Sequence, residues 1–100
     1  MTLSHAGRYK KGADGERRFI QRLNHDCAWA HAFRVAGSRG AIDVVSVSEW
    51  NGSQRWSLFQ LKTYARRPKP SEIAAAKRKA GALPVTIVWA KPDGTFEVIG

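Results

Sequence analysis

Gly40-Ala41-Ile42-Asp43-Val44-Val45-Ser46-Val47 and Trp56-Ser57-Leu58-Phe59-Gln60-Leu61-Lys62 are the two stretches on which the fold turns. Both read as strands, rich in β-branched and aromatic residues. Between them stands Asn51-Gly52, the strongest short-range signal for a two-residue hairpin. With those residues as the turn, Asp43 lies directly across from Gln60, Cβ atoms roughly 5 Å apart, and Lys62 follows on the same face. A carboxylate, an amide oxygen and an ammonium on one patch of sheet can hold a divalent cation and a phosphate. The alternative is a strand end that exposes polar groups, with Lys62 solvating an edge. Asp is depleted in strands, and Asp43 shares its face with Val45 and Val47, which are expected to point into a core. A lone buried carboxylate costs several kcal/mol unless something pairs with it. A metal ion or Lys62 would supply that pairing.

One hundred residues make one domain, and a hydrophobic content of 43% suffices for a single small core. Four tryptophans in so short a chain suggest that some lie at a partner surface, so homodimerisation is expected. Seventeen Lys+Arg against eight Asp+Glu give a net charge of +9, which points to a polyanion, most often nucleic acid. A membrane surface competes as partner, but no apolar stretch approaches the ~18 residues of a spanning helix. The first residues lack the apolar core of a signal peptide. The single cysteine, Cys27, permits no internal disulfide, so a reducing cytoplasm is the expected compartment.

Residues 1–10 read as a flexible basic arm and 11–100 as the folded domain. A helix is predicted from about Ala13 to Asn24, with Asp14 near its positive end. Its apolar stripe is Phe19, Ile20 and Leu23, bordered by Glu16, while Arg17, Arg18 and Arg22 spread around the outside. Ala28 to Val35 reads as a first strand. Gly37-Ser38-Arg39-Gly40 is a basic loop leading into the Asp43 strand, and the hairpin follows. After the basic loop 64–69 a second helix runs from Ser71, as N-cap, to Ala80, with Gly81 as its stop. Strands over 85–89 and 95–99 complete the chain, joined by Pro92-Asp93-Gly94. The order α-β-β-β-α-β-β is that of a single α/β domain with a mixed five-stranded sheet and flanking helices.

Glu16 on the first helix, Asp43 on the second strand and Gln60-x-Lys62 on the third resemble the pattern of the PD-(D/E)XK nuclease superfamily. Within it the chain is most similar to the archaeal-type Holliday junction resolvases, including phage-encoded relatives. The resemblance covers residues 10–64: Lys11-Gly12-Ala13 with Glu16-Arg17, Arg34-x-Ala36-Gly37-Ser38, Asp43-Val44-Val45, and Gln60-Leu61-Lys62. Residues 65–100 match in element order only. The resemblance implies that Glu16, Asp43 and Gln60 ligate Mg²⁺, with Mn²⁺ able to replace it. Lys62 would orient or polarise the attacking water and the scissile phosphate. Arg17 would contact the phosphate or bolster the site, and Ser38 would reach the DNA near the cleaved bond. Lys10, Lys11, Arg39, Arg66 and Arg67 join Arg17 as candidate DNA contacts. Two departures stand out: Gln60 occupies the position of the usual metal-binding Glu, and Ile42 that of the proline before the motif Asp. An amide oxygen can ligate a hard cation but brings no negative charge.

The implied function is a metal-dependent, structure-selective endonuclease that nicks four-way DNA junctions as a homodimer, serving DNA recombination and repair in a bacterial, archaeal or phage-infected cell. Two symmetric nicks need two sites related by a two-fold axis. A superfamily nuclease acting on other branched or duplex DNA is the nearest alternative. A non-catalytic DNA-binding protein explains the charge but not Glu16, Asp43 and Lys62 in register. An RNA-binding role predicts exposed aromatics on the sheet. Lys77-Arg78-Lys79 reads either as a phosphate contact or as a solvated face. Trp50 and Trp56 flank the hairpin tip, where stacking or dimer contact is open to them; for Trp56, on the Gln60 face, core packing is expected. His5, His25 and His31 lack zinc-ligand spacing, and Cys27 reads as a packing residue.

Overall fold

The computed structural model describes residues 5–26, 30–35 and 40–100, without the side chains of 5–11 and 50. The chain runs α1 (His5–Asp26), β1 (Ala30–Arg34), β2 (Val44–Trp50), β3 (Ser53–Lys62), α2 (Pro70–Ala80), β4 (Val85–Ala90) and β5 (Phe96–Val98). The Asn51-Gly52 turn forms, with positive φ at both residues (51° and 76°), as a type I′ hairpin requires. It sets the register of β2 on β3, in which Val44 faces Phe59 and Val47 faces Trp56. The regular pairing stops there: the Asp43 N–H donates to Phe59 O, the residue that faces Val44, so the Asp43–Gln60 pair expected from the turn does not form as a ladder pair. β1 adds antiparallel to β2, with Phe33 facing Val45. The chain then crosses through α2 so that β4 lies parallel to β3, and β5 returns antiparallel on β4. The result is one α/β domain with a five-stranded mixed sheet, in order β1-β2-β3-β4-β5, and two helices.

The two helices pack on opposite faces because side chains alternate along each strand. On the first face, Phe19 of α1 meets Val44, Leu61 and Val88, and its ring lies edge-on to Phe59 (5.0 Å) and Phe96 (5.2 Å). On the second, Ala76 and Ala80 of α2 pack against Val85 and Ile87, with Ala41, Ile42 and Leu58 beside them. Small alanines one turn apart let α2 lie close to the sheet.

Several boundaries differ from those read off the sequence, each for a local reason. α1 begins at His5, so the stretch read as a basic arm has helical backbone from there; Ala6, Arg8, Lys10 and Lys11 are good helix formers and no proline stops them. Asp14 is therefore mid-helix and pairs with Arg17 (3.2 Å). The N-cap of α2 is Lys69, not Ser71: Pro70 takes the first helical position, and the Glu72 carboxylate accepts the Lys69 N–H at 2.8 Å. β2 starts at Val44 because the chain bends at Asp43.

The expectation for the β2 core face is reversed. Val44 is fully buried under α1, whereas Val45 and Val47 are half-buried on the opposite side. α2 lies over the β4 side of that face, and no described helix covers its β1–β2 half. Trp56, expected in the core, is accordingly 59% exposed, and Phe33 on the same face is 48% exposed.

Gly15 marks where α1 touches the sheet end: a Cβ there would sit 2.8 Å from Thr63 Cγ2. Gly12 has nothing within 4 Å of its virtual Cβ. Alanine favours a helix interior by about 1 kcal/mol over glycine. Gly12→Ala should therefore raise the melting temperature by about 4–8 °C. Gly15→Ala should lower it, because overpacking by about 1–3 kcal/mol outweighs the propensity gain. Thermal unfolding followed by circular dichroism separates the two.

Candidate active site at the end of the central hairpin

The site begins with a backbone requirement. Where β2 and β3 part, the amide of Leu61 is buried and needs an acceptor. Asp43 supplies it: its Oδ2 accepts the Leu61 N–H at 2.8 Å. The main chain of Asp43 is held as firmly, its N–H donating to Phe59 O (2.8 Å) and its carbonyl accepting Val35 N–H (3.0 Å). The carboxylate is thus buried (6% exposed) and fixed at the Leu61 amide. Burial raises its pKa above the ordinary 3.8; the Leu61 amide opposes the shift, the charge of Glu16 adds to it, and Lys62 and Lys79 oppose it.

Gln60 follows on β3. Its Oε1 is buried and has no hydrogen-bond partner among the described residues. Lys62, half-buried at the strand end, places Nζ over the Tyr64 ring, 5.9 Å from its centroid. Glu16 sits inside the buried stripe of α1, with Ala13 and Phe19, rather than at its border, and is 7% exposed. Its Oε2 accepts the Arg34 guanidinium at 2.5 Å. The structure places Asp43, Gln60, Lys62 and Glu16 at one end of the hairpin, Glu16 with Arg34 on the α1 face and Gln60 and Lys62, by strand alternation, on the α2 face. Among the described residues no three His, Cys, Asp or Glu side chains gather as a metal site; the oxygen donors here are two carboxylates and an amide.

The other candidates divide. Ser38 and Arg39 lie outside the described residues, as do Cys27 and the side chains of Lys10, Lys11 and Trp50. Arg17 is exposed in its pair with Asp14. Arg66 bonds Glu72 (3.0 Å) and Arg67 pairs with Glu97, both at the surface. Exposed pairs of this kind are worth at most about 1 kcal/mol, so these guanidiniums can exchange their carboxylates for other anions. Lys79, which the sequence reading took only as part of a basic run, adds its charge to the surroundings of Asp43. Its signal was present: it directly precedes Ala80, which packs with Ile42, the neighbour of Asp43.

No protein-family model, curated protein or solved structure matches the chain. No helix of the described residues is long and apolar enough to cross a membrane.

The raised pKa of Asp43 has a sign. Its protonated form is favoured in the folded state, so stability is fullest below the unfolded pKa and falls as pH rises through the folded one. Asp43→Asn keeps an acceptor for Leu61 N–H and removes the buried charge. In EDTA at pH 7 it should melt a few degrees above wild type, and the gain should shrink as the pH falls below the ordinary carboxylate range. Mg²⁺ should raise the melting temperature of wild type and leave that of Asp43→Asn unchanged. Melting scans across pH, with and without Mg²⁺, check both statements.

Proposed function

We propose that this chain is a divalent-cation-dependent endonuclease of the PD-(D/E)XK type, similar to archaeal-type Holliday junction resolvases. It nicks four-way DNA junctions as a cytoplasmic homodimer. The observation that carries this reading is the buried Gln60 Oε1, without a partner among the described residues, on the residue before Leu61, whose amide holds the desolvated Asp43 carboxylate. An orphaned buried acceptor costs about 1–3 kcal/mol. A cation would relieve that penalty and the repulsion between Asp43 and Glu16 together.

The donor set suits a hard cation. Asp43 Oδ2 is committed to Leu61, but its second oxygen makes no hydrogen bond among the described residues. Mg²⁺ is held through one or two carboxylates plus waters and substrate oxygens. Asp43, Gln60 and Glu16 would hold it, with Mn²⁺ as a substitute. When bound, the ion supplies Lewis acidity toward a phosphate oxygen and acidifies water. The chain's own groups do the rest: Lys62 stabilises charge growing on the phosphate, and Arg34 keeps Glu16 oriented. The net charge of +9 gives the chain affinity for a polyanionic backbone. The uncovered apolar strip of Phe33, Val45, Val47 and Trp56 supports the homodimer, which two opposed nicks require.

One observation favours a second reading. Phe33 and Trp56 are exposed aromatics on a sheet face, the feature expected of an RNA-binding sheet. Their face carries Glu49 and neither Lys nor Arg on β1, β2 or the facing stretch of β3 as far as Leu58, which disfavours a phosphate backbone there.

The deciding experiment compares cleavage of a synthetic four-way junction with that of linear duplex of the same arms, with and without Mg²⁺. Cleavage should need the ion and prefer the junction. Asp43→Asn should cut at less than a few per cent of the wild-type rate while binding junction normally. Gln60→Glu should stay active and reach half-maximal rate at lower Mg²⁺. Loss of activity in Gln60→Glu as deep as in Asp43→Asn would remove residue 60 from the ion's ligands. A monomer in sedimentation that cuts duplex as readily as junction would leave a generic nuclease in place of a resolvase.

A further inference from the structure

A cavity of about 260 Å³ opens where the parallel strands β3 and β4 end, lined by Arg18, Thr63, Tyr64, Ala90, Lys91 and Pro92. The carboxyl ends of parallel strands are where α/β sheets commonly take ligands. Two of its polar groups have no partner among the described residues. Arg18 makes no ion pair among the described residues, and the Thr63 hydroxyl makes no hydrogen bond among them. Lys91 is shared with Glu97 (3.2 Å) and the Trp89 ring (5.4 Å), so it adds charge nearby but is not free. Gly15 lets α1 close onto Thr63 at one wall, and Gly94, at φ +89°, has its virtual Cβ 3.7 Å from Arg18 Nη1, an ordinary contact.

We infer that this cavity binds a phosphate of a nucleic-acid strand, beside the one held at Asp43 and Lys62. A guanidinium, a hydroxyl and a lysine ammonium lining one open cavity are groups that recognise phosphate oxygens. The volume accommodates a phosphate together with part of its sugar. Lys62 and Thr63 are consecutive at the end of β3 and leave it toward opposite faces, so a strand crossing this end of the sheet passes both positions. The inference rests on the nucleic-acid reading for the identity of the ligand, but the anion site itself needs neither metal nor cleavage.

The test uses the full chain in EDTA with two probes. In ¹H–¹⁵N spectra, inorganic phosphate should shift the Arg18 side-chain Nε–H and the amides of Thr63 and Lys91. Arg18→Ala should abolish the backbone shifts, and Arg22→Ala, which breaks only an exposed pair with Asp26, should keep them. For a labelled four-way junction, Arg18→Ala should weaken binding by about tenfold and reduce the log–log salt slope by about one, as loss of one phosphate contact does. Phosphate shifts that persist in Arg18→Ala, or that fall only on residues 77–79, overturn the inference. So does an unchanged salt slope. Arg18-dependent phosphate shifts in a protein that cleaves no DNA would uphold the pocket and remove the nuclease. Cleavage with Arg18-independent phosphate binding would do the reverse.

Discussion

Everything at the functional end of this molecule depends on the bond from Leu61 N–H to Asp43 Oδ2. β2 and β3 separate there, and in the continued register Ile42 would offer the next ladder carbonyl to Leu61. The chain bends instead, Ile42 packs toward α2, and a side-chain carboxylate takes the carbonyl's place. A buried amide without an acceptor would cost about 1–3 kcal/mol, so the exchange is obligatory once the strands diverge. Its by-product is a carboxylate that burial makes reluctant to ionise, immobilised at the residue after Gln60, whose buried amide oxygen has no partner among the described residues. Structural need and chemical potential are supplied by the same atom pair.

The helices divide the labour around that point. α1 buries Phe19 and carries Glu16 within the same stripe, and Arg34 on β1 makes that burial tolerable by pairing with it. Removing the arginine would leave a buried charge unpaired, a far larger penalty than breaking any surface pair of this molecule. α2 covers β4 and brings Lys79 toward Asp43 while leaving the β1–β2 half of its face bare. The bare half holds Phe33, Val45, Val47 and Trp56 and no Lys or Arg. In a chain of net charge +9, it is a face on which a second copy would meet little like-charge repulsion.

Local signals in the sequence were legible where one residue type dictates one conformation. Asn51-Gly52 demanded two positive φ values, and from that turn the register of β2 on β3 followed as far as Val44 and Phe59, where the bend at Asp43 ends it. Gly81 ended α2 at φ 63° for the same reason. Features set by what lies across a face were not legible. Alternation places Val45, Val47 and Trp56 together but cannot say whether a helix covers them, and the short α2 does not. Ser71 is a better N-cap than Lys69 in isolation, yet Pro70 fits the first helical position, and Glu72 reaches back to the Lys69 amide from two residues into the helix. Arg17 and Arg18 are indistinguishable as neighbours on a basic helix. Only the packing of Gly15 on Thr63 shows that Arg18 turns to the cavity while Arg17 meets Asp14.

Gln60 is where charge and stability are in closest balance. Glu16 already raises the pKa of Asp43. A carboxylate at position 60 would add a third negative charge in a site with little solvent, and in the absence of a cation its desolvation and repulsion would exceed the penalty of one orphaned amide oxygen. The neutral side chain therefore makes the cation-free fold easier to sustain in a domain of 100 residues, whose small core leaves little margin. The same neutrality weakens any hold on a divalent ion, since affinity for hard cations rises with ligand charge. Gln60→Glu should accordingly move two quantities in opposite directions: lower melting temperature in EDTA, and a larger rise on adding Mg²⁺. A variant that melts like wild type in both conditions would mean that residue 60 feels neither Asp43 nor the ion, and this end of the hairpin would then carry no chemistry.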